Sequence, residues 1–163
     1  MKKPRHSPKA ADRHMAISLK PIGVVHSPHK TRAATPIQPR FASDFEGTVE
    51  VFEPFVHALS DLDAFERIWI IFALDRAGPF KPKVIPFRDT IERGLFSTRA
   101  PCRPNPLGMS VVRLLSVEHN LLYVGDLDIL DGTPLLDIKP YVPLFDSYPD
   151  ARAGWVGASE ITR

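Results

Sequence analysis

With 163 residues, 44% of them hydrophobic and 25% charged, the chain has the length and balance of one globular domain with a core of its own. A single cysteine, Cys102, excludes an internal disulfide framework and a multi-cysteine zinc site, and a formal charge of +2 is too mild to establish nucleic-acid binding. Seventeen prolines, roughly twice the usual frequency, argue against an all-helical fold and for short strands joined by rigid loops.

The N-terminal stretch MKKPRHSPKAADRHMAIS is basic and lacks the apolar core of a secretory signal. Residues 1–14 read as a disordered basic tail and residues 15–163 as one domain. Lys2, Lys3, Arg5, Lys9 and Arg13 would add nonspecific attraction to phosphates. No apolar run approaches the roughly 18 residues that span a bilayer, so no membrane partner is expected. The lone cysteine is compatible with a reducing, cytoplasmic setting.

Ile17 to His26 reads as a first strand interrupted by Pro21, and Ser27 to Arg40 as a long polar loop. Gly47 to Phe52 alternates as a half-buried strand does. Leu59, Leu62 and Phe65 fall at helical spacing behind Ser60 or Asp61, which predicts a short helix. The run IWIIFAL, Ile68 to Leu74, predicts a central strand covered on both faces. Shorter strands are expected at 83–87 and 94–98. Met109 to Val117, the pair His119-Asn120 and Leu121 to Ile129 form the best hairpin signal. Asp131-Gly132 makes the next turn, Leu135 to Lys139 a last short strand, and Trp155 a late packing anchor. The pattern is mainly β: a small single-domain barrel with one or two short helices. No glycine-rich nucleotide motif is present.

Two segments carry the chemistry. In FSTRAPCRPNPLGMS, Phe96 to Ser110, three residues precede prolines, which forbids helix and gives a stiff loop. It presents Arg99, Arg103 and Asn105, a set suited to a polar, anionic ligand, although a plain connector between strands would read the same way. The second segment, DLDILDGTPLLDIKPYVPLFD, sets acids and a lysine among apolar residues around an Asp-Gly turn.

Together FSTRAPCRPNPLGMS, DILDGTPLLDIKPYVP and the weaker PIGVVHSPHK and FERIWIIF resemble the TsaA-like (TrmO) family of tRNA methyltransferases, from about Ile17 to Pro149. The resemblance implies a seven-stranded β-barrel and a homodimer with active sites near the subunit interface. It also implies methylation of the N6 nitrogen of threonylcarbamoyladenosine beside the tRNA anticodon, with S-adenosylmethionine as donor. Longer members add a C-terminal domain, and the chain resembles the short form. Carried over by position, the cofactor loop is Pro36, Ile37 and Gln38, where the family more often has a basic residue at 37. Asp75 and Arg76 follow the central strand, where a histidine is common. Arg99 and Leu107, then Asp131, Gly132, Thr133 and Pro134, complete the implied cofactor set.

Methyl transfer from a sulfonium is an in-line displacement that needs donor and acceptor held collinear in a dry pocket. The acceptor nitrogen must lose its proton; Asp137 and Asp131 are the candidates, with Tyr141 as a positioning group. Lys139 and Arg103 suit a substrate carboxylate or flanking phosphate, and Asn105 either joins them or bonds its own loop. His26 and His29 lack a third ligand at metal spacing, so no metal is expected. The anticodon loop would be met by basic loops and by aromatics such as Phe41, Phe80 or Tyr141, with no DNA partner expected. The alternative is a noncatalytic module that binds RNA or a nucleotide metabolite and transfers nothing.

Overall fold

The computed structural model of the chain describes residues 17–43, 45–87 and 89–158; the predicted tail at 1–14 lies outside them. Eight strands form in chain order: β1 Gly23–His26, β2 Glu46–Val51, β3 Arg67–Ala73, β4 Lys83–Val84, β5 Arg93–Gly94, β6 Leu107–Glu118, β7 Leu121–Gly125 and β8 Thr133–Pro140. Six of them close a barrel in the order β1-β2-β7-β6-β3-β8, every pairing antiparallel, while β4 and β5 make a separate ribbon. The wall therefore has six strands among the described residues, against the seven that the resemblance implied. Closure leaves the barrel no unpaired edge among the described residues.

Alternation decides which side chains enter. In β3, Ile68, Ile70 and Phe72 are buried while Trp69, Ile71 and Ala73 stay half-buried on the outer face. The run expected to be covered on both faces is thus a barrel wall with one inner side. Val25, Val49, Val51, Val112, Leu122 and Leu135 fill the interior from the other strands. Gly108 in β6 faces Phe72 in β3, and the phenyl ring occupies the space a Cβ would need.

The hairpin of β6 and β7 turns at His119-Asn120, with His119 at φ 53. The strand expected to run to Ile129 stops at Gly125, because Asp126 takes a left-handed conformation at φ 60. Asp126 is held there by Arg67 at 3.0 Å and Arg113 at 3.1 Å. The segment 126–132 then connects β7 to β8 and adds Leu127 and Ile129 to the core. The predicted short helix becomes two 3-10 segments, Glu53–Leu59 and Leu62–Ala64, which bury Leu59 and Leu62. Asp61 between them adopts a left-handed φ of 65 without a side-chain cap, which prevents one continuous helix. The first strand begins only at Gly23, and the stretches expected as strands at 83–87 and 94–98 shrink to the β4–β5 ribbon and a 3-10 turn, Leu95–Ser97. Helix α1, Pro143–Asp146, is a single turn. Trp155 anchors the C-terminal stretch as expected, its Nε1 donating to the Ser97 carbonyl at 2.8 Å.

Candidate functional site

One end of the barrel is a polar rim built by four connections. Gly132 at φ 73 lets the chain turn from the core segment into β8. The Gly132 amide donates to Val25 and the Asp131 amide to His29, so the turn is sewn to the end of β1 and the loop after it. Both Asp131 oxygens are engaged: the Ser27 amide donates to one at 2.9 Å and Lys30 Nζ to the other at 2.6 Å. The Lys30 hydrogen bond, first among its causes, holds the Asp131 carboxyl below its ordinary value. Arg76, just past the end of β3, donates through Nη2 to the Asp131 carbonyl at 2.8 Å and to Thr133 Oγ1 at 3.1 Å, and its Nε reaches Asp75. Thr133 passes its own proton to the Leu130 carbonyl at 2.6 Å.

Arg99 joins from the proline loop by donating to the side-chain oxygen of Gln38. Leu107 pairs with Ala73 in the adjacent register, and the Leu74 amide donates to Pro106, which seats the end of the proline loop beside Asp75. Pro134 starts β8 opposite Val24, and Pro36 and the exposed Ile37 precede Gln38 on its loop. The structure thus bonds Asp75, Arg76, Asp131 and Thr133 into one cluster, while Arg99 and Gln38 form a second pair across their two loops.

Other residues singled out from the sequence stand elsewhere. Arg103 turns back on its own loop, donating to the Thr98 and Ala100 carbonyls and covering the Phe96 ring at 5.5 Å. Asn105 is exposed, and its carbonyl accepts from the Leu107 amide. Asp137, Lys139 and Tyr141 lie farther along the β8 direction; at a rise of about 3.3 Å per residue Asp137 is about 13 Å from Thr133. Asp137 and Lys139 pair with each other at 2.8 Å, and Tyr141 sits against Trp69 at 5.9 Å. Asp137 also borders an apolar cavity of about 330 Å³ beneath the 3-10 segments, lined by Ile22, Phe55, Leu59, Leu62 and Phe65. That cavity has no cationic lining and none of the rim residues, so the rim, not the cavity, is the polar site.

His29 is a core fixture, its Nε2 donating to the Leu127 carbonyl at 2.8 Å with the ring edge-on to Phe45, while His26 reaches outward to Glu50. One residue was not singled out from the sequence. Asp128 sits between the sealed Leu127 and Ile129, and burial pushes its carboxyl up to about 6 against the opposing pulls of the nearby Ser110 hydroxyl and the Arg99 charge. Its only sequence signal is an acid between two apolar residues three positions before an Asp-Gly turn.

The profile of the tRNA-methyltransferase O N-terminal domain matches residues 24–147, which contain the whole rim. A probable S-adenosyl-L-methionine-binding protein of Pyrococcus abyssi is 50% identical over 87% of this chain and 77% of its own length. The tRNA (adenine(37)-N6)-methyltransferase of Escherichia coli is 40% identical over 82% of this chain and 61% of its own length. The crystal structure of TrmO from Pseudomonas aeruginosa superposes with a TM-score of 0.77 at 40% identity, covering 90% of this chain and 65% of that one. The chain therefore spans less than two thirds of the length of the last two.

Proposed function

The chain belongs to the tRNA-methyltransferase O N-terminal domain family, and from that membership we propose that it is an S-adenosylmethionine-dependent methyltransferase acting on the N6 nitrogen of threonylcarbamoyladenosine beside the tRNA anticodon. The observation that carries this reading is the cluster that Arg76 makes with Asp131 and Thr133 at one rim, supported by the Arg99–Gln38 pair on the neighbouring loops. The donor set suits the cofactor. Arg99 and Arg76 offer guanidinium groups to its carboxylate, the Asp131-Gly132 turn offers acceptors to ribose hydroxyls, and the exposed Ile37 and Leu107 offer apolar contact. When bound, S-adenosylmethionine supplies an electrophilic methyl group. The chain's share is to hold that group and the acceptor nitrogen in line and to exclude water.

Asp131, held low by Lys30, is a weak proton acceptor, and its work is to fasten the turn. Asp137, beside Lys139 and Tyr141, is the remaining candidate to take the acceptor's proton, and because it lies along β8 away from the rim of its own chain, this role calls for a second protomer. Support for a homodimer comes from the outer face of β3 and β6, where Leu107 and Met109 are exposed, and from Phe145 on α1, which is tied to Trp69 through Asp146. Support for RNA contact comes from exposed Phe80, Phe87 and Phe96 among the loops around the β4–β5 ribbon, with Lys81 and Lys83 beside them. The half-buried free Cys102 fits the reducing cytoplasm in which such a substrate occurs.

The test is mass analysis of nucleosides digested from threonylcarbamoylated tRNA after incubation with the protein and S-adenosylmethionine. A gain of one methyl group on threonylcarbamoyladenosine, absent with unmodified tRNA, is expected. Cofactor binding without transfer would reassign the barrel as a binding module.

A further inference from the structure

Asp128 has no part in the methyltransferase scheme proposed for the rim, and a role for it rests on that same scheme. It lies on the segment joining β7 to β8, and its polar neighbours are Ser110, on the inner side of β6, and Arg99. Its Oδ1 is sealed from solvent and has no hydrogen-bond partner among the described residues. An unpaired buried acceptor costs about 1–3 kcal/mol, and more when charged, so the atom calls for a partner, which a bound ligand or an ordered water supplies.

The other candidate carboxylates already have partners. Asp131 is shared between Ser27 and Lys30, Asp75 is paired with Arg76, and Asp137 with Lys139. Of these four, Asp128 is the one with a buried oxygen still to satisfy. We propose that Asp128 Oδ1 is a ligand-binding atom of this site, accepting a hydrogen bond from a nitrogen-borne proton of the bound ligand.

The chemistry of the group selects the kind of contact. An ionised carboxylate only accepts, so it favours amino and ammonium N–H groups and disfavours carbonyl oxygens or bare ring nitrogens. Two sources offer such a proton: the amino groups of S-adenosylmethionine and the N6–H of the acceptor adenine. Because the oxygen is sealed, engagement requires its surroundings to shift.

The experiment compares the wild type with Asp128→Asn, which keeps the side chain's size and removes its charge. Affinity for S-adenosylmethionine is read by calorimetry, and methyl transfer to threonylcarbamoylated tRNA by single-turnover rate. If the proton comes from the cofactor, affinity falls about tenfold or more. If it comes from the acceptor, affinity is kept and the single-turnover rate falls about a hundredfold; the proton-accepting role then moves from Asp137 to Asp128. A folded variant that equals the wild type in both readouts overturns the assignment. A wild type that binds no S-adenosylmethionine overturns the methyltransferase scheme and the assignment together. Should the Asn variant fail to fold, Asp128→Glu, which displaces the carboxylate by one methylene, is judged by the same two readouts.

Discussion

The charge state of Asp128 has a thermodynamic signature independent of any ligand. Burial raises its carboxyl from an ordinary 3.8 to about 6, so the folded chain binds the proton more tightly than the unfolded chain. Below about pH 4 both states are protonated and the group costs nothing. As pH rises through the window between the two values, the folded state must ionise a buried acid, and stability falls by about 3 kcal/mol at most. Asp128→Asn is therefore expected to be about 1–3 kcal/mol more stable than the wild type at pH 8 and equal to it near pH 4. Urea midpoints at the two pH values check this, and a variant less stable at pH 8 would contradict it. A gain in stability coupled to a loss of binding or rate is the pattern of a group kept for function.

At the scale of elements, the wall of the barrel was legible wherever one face alternates against the other. The hairpin of β6 and β7 and the buried trio Ile68, Ile70 and Phe72 follow from residue order alone. The connection after β7 was not, because Leu127 and Ile129 alternate with Asp126 and Asp128 as a strand's residues would. Only the left-handed Asp126, clamped by Arg67 and Arg113 from distant strands, breaks that pairing. This misreading also hid Asp128, which on a strand would face water. The Asp-Gly turn and Arg99 carried enough signal to be placed at the rim, whereas Arg103 looked equivalent to Arg99 and instead braces its own loop. A close approach that no periodicity reveals can be tested at Gly108. A Cβ there would overlap the Phe72 ring, in the strand pair that leads into Leu107 and Asp75. Gly108→Ala is expected to cost about 1–3 kcal/mol, since the ring must leave its place in a packed wall. Thermal or urea unfolding reads the loss, and an unchanged midpoint would mean that the ring moves at no cost.

For the whole molecule, the outer surface raises a different question from the core. Met109 is 55% exposed and Leu107 43%, next to the half-buried Ile71 and Trp69, and α1 extends the patch with Leu144 at 85% and Phe145 at 67%. Monomeric proteins seldom leave a contiguous apolar surface of this kind uncovered, and the same face borders Asp137 and Lys139 on β8. A second copy of the chain is the occupant that the proposed homodimer calls for. Met109→Glu places a charge in the middle of this face without touching the barrel interior, because Ser110, not Met109, points inward. The wild type is expected to show the mass of a dimer by light scattering and the variant that of a monomer, with the melting transition of the barrel retained. If Asp137 and Tyr141 act across the interface, the monomeric variant loses methyl transfer while Asp131 and Arg99 keep their places. Full transfer by a monomer would confine the chemistry to one rim and remove Asp137 from it.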